Sequence, residues 1–241
     1  MSNGNEQRSG SIPLFDRAAL EKPHFSWPAA LALAYASKLS YQPRHIVTGT
    51  AENAWGFERV EFFDVGDTQA FYADSATIGL LAFRGTESIG DWLGNIDISR
   101  ADSPFGDGVL HGGFFDGYMA ARSIIRAALE NDPSPGKKLW VTGHSLGGAL
   151  STVAAADLLH DGRELTGVFT FGQPRVGNGD FRDDFMPKIG DRFFRFVNDD
   201  DLVTRVPPGW KHVGQLIRFD KNGEPETTSA AEAAGQEAVS Y

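Results

Sequence analysis

The 241-residue sequence contains no cysteine, which excludes a disulfide framework and any metal site built on thiolates. It also lacks the H-E-x-x-H spacing of zinc metalloproteases, and we expect neither a metal nor a cofactor. Basic residues are few, since 22 Lys and Arg against 32 Asp and Glu give a formal net charge of −10. Because attraction between phosphates and basic patches dominates nucleic-acid binding, this composition argues against a nucleic-acid partner.

Long hydrophobic runs are missing as well. The most apolar stretches, WPAALALAYASKL at 27–39 and ALSTVAAADLL at 149–159, are too short to be transmembrane helices, so we expect no membrane span. The N-terminal stretch MSNGNEQRSGSIPLFDR has no apolar core of a secretory signal. Two localisations stay open on this basis: cytoplasmic, or secreted with the signal removed.

The sequence does contain an alternation of strand-like and helix-like segments. Short apolar runs follow segments whose apolar residues recur at helical spacing. This order predicts an α/β protein with a mostly parallel central sheet and helices on both faces. We predict strands at 57–64, 68–73, 77–83, 139–141, 166–171, 191–197 and 212–219, and helices at 27–38, at 113–131, directly after Ser145 and at 178–187.

The ends of the chain differ in composition from its centre. Residues 1–12 are polar, and we expect them to be disordered. Residues 13–223 have the length and patterning of a single domain. Residues 224–241 form an acidic, Ala-rich tail.

The segment KKLWVTGHSLGGALS, residues 137–151, places a serine where a buried strand turns into a helix. Its core GHSLG matches the G-x-S-x-G pattern of a nucleophile elbow, in which the serine hydroxyl projects from a strained turn. The backbone passes too close for side chains two residues before and after Ser145, which accounts for Gly143 and Gly147. The Leu146 amide then heads the helix and faces a developing oxyanion. A plain helix cap would also explain the serine but not the glycines.

Several segments in the same order resemble the class 3, or fungal-type, lipases of the α/β-hydrolase fold. They span about 80–212 and comprise AFRGTESIGDWLGNID, VLHGGFFDGY, VTGHSLGGAL, FTFGQPRVGN and FVNDDDLVTRVPP. Agreement of all of them in order is far more specific than any single motif. The resemblance implies the α/β-hydrolase fold and hydrolysis of an ester, such as a triacylglycerol or a related lipid ester.

The resemblance makes Ser145 the nucleophile and Asp201 the triad acid. The family's acid follows Val-Asn by three residues and precedes Pro-Pro by six, which selects Asp201 over Asp199 and Asp200. A carboxylate just past a strand end also suits the task of holding an imidazole in one tautomer. Without that frame, the DDD run would be typical of a solvated acidic loop or a weak calcium site.

Thr86 is the second oxyanion donor that the resemblance implies. The alternative is a plain N-cap, since Thr-Glu-Ser precedes a helical stretch. In that stretch Ile89, Trp92, Leu93 and Ile96 have the spacing of a short amphipathic helix. The family has a lid over the active site here, so residues 88–96 are a candidate contact with a lipid interface. The alternative is a helix packed permanently on the core.

The general base is the main departure from the family pattern. The family's base is a histidine near the C-terminus, and no histidine follows His212 in this sequence. Three explanations stay open: the base lies beyond Tyr241, His212 has taken the role, or the scaffold is inactive. We expect His144 to point away from the nucleophile and His111 to be structural.

Two classes of function therefore stand. The first is a serine carboxylic-ester hydrolase, most directly a lipase, that forms an acyl-enzyme on Ser145. The second is a non-catalytic binding or structural protein on a degenerate hydrolase scaffold. The elbow, the oxyanion residue and the acid together favour the enzyme.

Overall fold

The strands and helices of the protein are seen in a computed structural model that describes residues 15–86, 90, 99–131 and 136–226. The strands are β1 (Arg59–Val65), β2 (Thr68–Asp74), β3 (Ile78–Phe83), β4 (Arg100–Asp102), β5 (Val109–His111), β6 (Lys138–His144), β7 (Gly167–Phe171), β8 (Phe193–Asn198) and β9 (Gln215–Phe219). The helices are α1 (Trp27–Leu39), α2 (Arg44–Gly49), α3 (Gly112–Glu130), α4 (Leu146–His160) and α5 (Gly179–Ile189). Short 3-10 turns span Arg17–Glu21, Gly190–Arg192 and Leu202–Arg205, and a π turn spans Thr50–Ala54.

Seven of these strands form one sheet in the order β1-β2-β3-β6-β7-β8-β9. The strands from β3 to β9 in this order pair in parallel, whereas β2 pairs with both β1 and β3 in antiparallel fashion. Strands β4 and β5 form a separate antiparallel pair. The predicted mostly parallel central sheet is confirmed.

Apolar side chains cover both faces of this sheet. In β6, Leu139 and Val141 pack into the cluster that holds α3, α4 and α5, while Trp140 packs into the cluster that holds α1. Alternation of this kind buries a central strand on both sides, as expected for parallel sheets between helix layers. The predicted helices on both faces are therefore confirmed.

Sequence signals and observed bounds agree closely for α1 and less closely at β9. Helix α1 starts after Ser26, whose side chain accepts a hydrogen bond from the Ala29 amide at 3.2 Å, with Pro28 in its first turn. Strand β9 begins only at Gln215, because His212 is held in the preceding loop by a bond to the Thr204 carbonyl.

Three elements were not predicted, namely α2 and the two short strands β4 and β5. Helix α2 contains a β-branched Ile-Val-Thr run, which weakens its helical signal. The predictions for 1–12, for most of 88–96 and for 227–241 lie outside the described residues, and the single domain over 13–223 stays a prediction. None of the helices within the described ranges is both long and apolar enough to cross a membrane.

Parallel pairing brings the carboxyl ends of β3, β6, β7 and β8 to one edge of the sheet. Thr86 follows β3 by three residues, Ser145 follows β6 directly, and Asp201 follows β8 by three residues. This edge is where open α/β sheets place their functional loops.

Candidate active site

Ser145 occupies a strained turn between the last residue of β6 and the first residue of α4. Its backbone has φ 56° and ψ −126°, a conformation that side-chain-bearing residues rarely adopt. The turn is fixed from both sides, because the Ser145 amide donates to the Phe171 carbonyl at 2.9 Å and the Gly148 amide donates to the Ser145 carbonyl at 2.9 Å. The strand–turn–helix context expected for the elbow is present.

Glycine is sterically required on both sides of this serine. A Cβ on Gly143 would overlap the Gly147 carbonyl, and a Cβ on Gly147 would overlap the Phe83 carbonyl oxygen at the end of β3. A Cβ on Gly148 would meet the Gln173 side chain at 3.2 Å, which is tight. The close backbone approaches predicted from the sequence are therefore real contacts between β3, β6 and α4.

The Ser145 hydroxyl is buried and unpaired. Ser145 is 0% exposed, and within the described part of the chain its Oγ has no hydrogen-bond partner. Buried hydroxyls nearly always have a partner, so an orphan one at a helix N-terminus is the mark of a functional group. The Leu146 amide, first in α4, adjoins it and belongs to the helix turn that lacks intrahelical acceptors.

The segment that follows β3 runs directly beside the elbow. A Cβ on Gly85 would overlap the His144 carbonyl oxygen, and a Cβ on Gly147 would come within 2.9 Å of the Arg84 carbonyl carbon. Thr86, half-buried, is the next residue along. This packing places the chain that leads to Thr86 against the backbone on either side of Ser145, and the role of Thr86 and Leu146 as oxyanion donors stays a prediction. The helix that Thr86 would cap lies outside the described residues.

Asp201 approaches the serine across the end of β7. One carboxylate oxygen, Oδ1, accepts from the Val203 amide at 3.0 Å and so caps the Leu202–Arg205 turn. The other, Oδ2, faces Gly172, where an added Cβ would lie 2.7 Å from it. Gly172 directly follows Phe171, the residue bonded to the Ser145 amide. Asp201 thus lies against Gly172 and Ser145 bonds to Phe171, and these two are adjacent residues at the end of β7.

The other two carboxylates of the DDD run face the surface. Asp200 pairs with Arg205 at 2.6 Å, and its side chain is 79% exposed. Asp199 lies 3.7 Å from Arg218 and is also partly exposed. No cluster of three metal-ligating side chains forms in the described ranges. Of the three, Asp201 is the one whose carboxylate lies against Gly172 at the end of β7.

A model of the lipase (class 3) family matches residues 80–210. The chain belongs to the class 3 lipase family. A secreted mono- and diacylglycerol lipase of Fusarium solani is 37% identical over 148 residues, which are 58% of this chain and 44% of that protein. The chain spans about half the length of the curated relatives it matches.

Solved structures of class 3 type agree with the fold. A triacylglyceride lipase of Rhizomucor miehei superimposes with a TM-score of 0.69 at 26% identity, covering 87% of this chain and 90% of that one. A triacylglycerol lipase whose catalytic centre is formed by a serine protease triad gives a TM-score of 0.68 at 26% identity, with the same coverage. The α/β-hydrolase fold implied by the sequence resemblance is confirmed.

His212, one of the proposed bases, is directed away from the nucleophile. Its Nε2–H donates to the Thr204 carbonyl at 2.7 Å. Burial and the positive charges of Arg195 and Arg175 lower the pKa of His212 to about 4. No hydrogen bond joins this ring to Ser145 Oγ among the described residues. The geometry therefore gives no support to His212 as the base in this class 3 lipase chain.

His144 also points away from Ser145, as expected, and has a partner that the sequence did not predict. Its Nδ1 lies 2.9 Å from the hydroxyl of Tyr41, two residues past the end of α1. Burial lowers the pKa of His144, and the nearby Asp201 carboxylate opposes that shift. Tyr41 and His144 also line an apolar groove of about 530 Å³ beside Thr86. No local motif marks Tyr41, so sequence reasoning could not find it.

Proposed function

We propose that this protein is a serine carboxylic-ester hydrolase that acts on lipid esters, and that Ser145 carries the acyl group. The observation that supports this most is the unpaired, buried hydroxyl of Ser145 on a strained turn with positive φ. A structural serine would gain from a partner and from relaxed angles. A nucleophilic serine needs a hydroxyl that is not bonded within the protein, and the strained turn is what aims this hydroxyl at the substrate carbonyl.

In the proposed reaction, Ser145 Oγ attacks the ester carbonyl carbon while its proton passes to a base. The carbonyl oxygen takes up negative charge, and the amides of Thr86 and Leu146, together with the Thr86 hydroxyl, stabilise it. Collapse of the tetrahedral intermediate breaks the bond to the alcohol, which leaves with a proton. Water then attacks the acyl-enzyme and releases the fatty acid.

Asp201 is proposed to hold and orient the base. In a serine protease triad, the acid fixes an imidazole in one tautomer and stabilises it when protonated. The position of Asp201 Oδ2 against Gly172, next to the residue bonded by Ser145, supports this role.

Lipid esters are the substrate class that the relatives support. The Fusarium relative is a mono- and diacylglycerol lipase, the Rhizomucor protein is a triacylglyceride lipase, and both belong to the same family as this chain. The apolar groove beside Thr86 is consistent with an acyl or alkyl chain. The finer suggestion, contact with a lipid interface through residues 88–96, concerns a segment outside the described residues except Gly90.

The test is hydrolysis of short- and long-chain p-nitrophenyl esters by the protein and by Ser145→Ala, measured above the rate of added millimolar imidazole alone. The imidazole supplies a base, because no histidine in the described ranges bonds to Ser145 Oγ. We expect the substitution to leave the melting temperature nearly unchanged and to lower turnover by about 10³–10⁶-fold. A serine-directed phosphonate should label Ser145 in the unsubstituted protein and in a Ser103→Ala control. Activity that survives in Ser145→Ala, or labelling at another serine, would rule out the assignment.

A further inference from the structure

Tyr41 links two chain segments that meet beside the nucleophile. Its hydroxyl lies 2.9 Å from His144 Nδ1, on the residue before Ser145. The same hydroxyl faces Gly85, the residue before Thr86, so closely that a Cβ on Gly85 would overlap it. One phenol oxygen therefore contacts both the strand end that leads to Thr86 and the strand end that leads to Ser145 and Leu146.

Which atom donates in the hydrogen bond between Tyr41 and His144 depends on the groups around the imidazole. His144 Nε2 and Asp201 Oδ2 lie against the same glycine, Gly172, at 3.5 Å and 2.7 Å from the position of its absent Cβ. The negative carboxylate favours the tautomer that carries its proton on Nε2. Nδ1 is then an acceptor, and the Tyr41 hydroxyl donates to it.

Tyr41 is itself held by the end of α1, which is fixed to the sheet by side-chain bonds. Ser37 Oγ lies 2.8 Å from Thr142 Oγ1 on β6, and Ser40 Oγ donates to the Ser37 carbonyl at 2.7 Å. The guanidinium of Arg84 lies 5.7 Å from the centre of the Tyr41 ring. The phenol therefore has a fixed position relative to both strand ends.

We propose that Tyr41 is a positioning residue that sets the spacing between the two oxyanion donors. This rests on the proposed ester-hydrolase function. Thr86 belongs to the β3 side and Leu146 to the β6 side. Tyr41 contacts Gly85, the residue before Thr86, and His144, two residues before Leu146. Oxyanion stabilisation depends on donors held at hydrogen-bond distance from the developing charge, and a misplacement of about 1 Å costs about 10²-fold in rate.

The experiment compares Tyr41→Phe with Tyr35→Phe, using p-nitrophenyl butyrate with the same millimolar imidazole as the base. Tyr35 is a half-buried tyrosine of α1 and serves as the matched control for loss of a hydroxyl. We expect Tyr41→Phe to lower kcat by about 10- to 100-fold with KM unchanged, because the ring stays in the groove. Inactivation by a phosphonate, whose adduct carries the oxyanion, should slow by a similar factor. Tyr35→Phe should match the unsubstituted protein in both assays.

A double variant tests whether the effect runs through His144. If Tyr41 acts through this bond, Tyr41→Phe combined with His144→Phe should lose no more rate than the more damaging single variant. Two results would refute the positioning role and leave the ester-hydrolase function standing. One is additive losses in the double variant, and the other is an unchanged kcat in Tyr41→Phe while the unsubstituted protein is active. If the unsubstituted protein neither hydrolyses esters nor reacts with the phosphonate even with imidazole present, the ester-hydrolase function fails, and the role of Tyr41 fails with it.

Discussion

At the scale of single residues, the glycines around Ser145 are the most constrained positions of the site. Gly147 touches the Phe83 carbonyl oxygen so closely that no Cβ fits, and both partners are backbone atoms of buried elements. We expect Gly147→Ala to lower the free energy of unfolding by about 1–3 kcal/mol, the usual cost of overpacking, and to remove most activity. Urea unfolding and ester hydrolysis measure the two effects.

The control is Gly49→Ala in α2, where an added Cβ would meet only Asn53 Nδ2 at 4.0 Å. This change should be neutral or slightly stabilising, because alanine restricts the unfolded chain more than glycine does. Equal effects of the two substitutions would mean that the contacts of Gly147 do not shape the elbow.

Thr86 offers two donors to the oxyanion, its side-chain hydroxyl and its backbone amide, and substitutions at this position separate them. Thr86→Ser keeps both, and we expect near-normal turnover. Thr86→Val removes only the hydroxyl at nearly constant shape and should lower kcat by about 10²–10³-fold, the cost of one lost oxyanion donor. An unchanged kcat in Thr86→Val would assign oxyanion stabilisation to the backbone amide alone.

His212 couples folding to acidity. Its pKa is about 4 in the fold and near 6.5 in an unfolded chain, so the unfolded state takes up a proton that the folded state excludes. This contribution to stability is complete above about pH 6.5 and is lost as the pH falls toward 4, by about 3 kcal/mol in all.

We therefore expect His212→Asn to lose less stability than the unsubstituted protein between about pH 7 and pH 4, as measured by urea unfolding. The exposed residue His45 provides the control, and His45→Asn should leave the pH dependence as it is. A His212→Asn variant with the original acid sensitivity would show that other groups, such as the buried ring of His144, govern it.

At the scale of elements, a buried carboxylate joins α3 to α4. Asp157 of α4 is fully buried and accepts hydrogen bonds from Tyr118 at 2.6 Å and from Arg122 at 2.8 and 2.9 Å, with Arg126 at 3.4 Å. Burial and this carboxylate raise the pKa of Tyr118, so its hydroxyl stays a donor. The Asp157 carboxylate therefore links the two helices through hydrogen bonds to three side chains of α3.

Removing the negative charge of Asp157 should lower the stability of the fold. We expect Asp157→Asn to lower the free energy of unfolding by about 3 kcal/mol, because the buried partner of Arg122 and Arg126 is lost and only the partly exposed Asp161 remains to pair with them. Asp161→Asn, at the partly exposed rim of the same network, should cost less than about 1 kcal/mol. Chemical denaturation of both variants tests the difference, and similar losses would contradict it.

An element could be predicted from the sequence when the residues that determine it lie close together in the chain. Strands such as β3 and helices such as α3 bury enough apolar residues in period to be read directly. Strands β4 and β5 have three residues each, too few to form a pattern. The elbow was predictable because its glycines adjoin Ser145 in the chain, whereas Tyr41 and His144 are 103 residues apart and meet only through tertiary packing.

At the scale of the whole molecule, the sheet gathers residues from β3, β6 and β8 at one edge but brings no histidine to Ser145. All six histidines of the sequence lie in described ranges, and none bonds to Ser145 Oγ. If residues 1–241 lack the base, added imidazole should supply it. We expect millimolar imidazole to raise ester hydrolysis by this chain in a saturable manner, since a diffusible base can take the proton of Ser145 Oγ.

Two variants make this rescue specific. Ser145→Ala should show no gain above the rate of imidazole alone, and Asp201→Asn should show a smaller gain than the unsubstituted chain. High activity without imidazole would mean that a histidine of this chain moves to Ser145. Absence of any rescue in an otherwise folded, inactive protein would favour the non-catalytic scaffold.

The packing of α1 also determines when the protein can fold during its synthesis. Helix α1 and the 3-10 turn Arg17–Glu21 leave the ribosome early, but their partners on β6 lie far along the chain. Ser37 of α1 bonds to Thr142, 105 residues later, and the Trp140 indole bonds to the carbonyl of Leu20 in the turn, across 120 residues. At about 5–20 residues per second, the apolar face of α1 waits roughly 5–20 s for β6 to emerge. Through that interval the nascent chain exposes a surface that a chaperone would be expected to shield, and Tyr41 reaches His144 only after it.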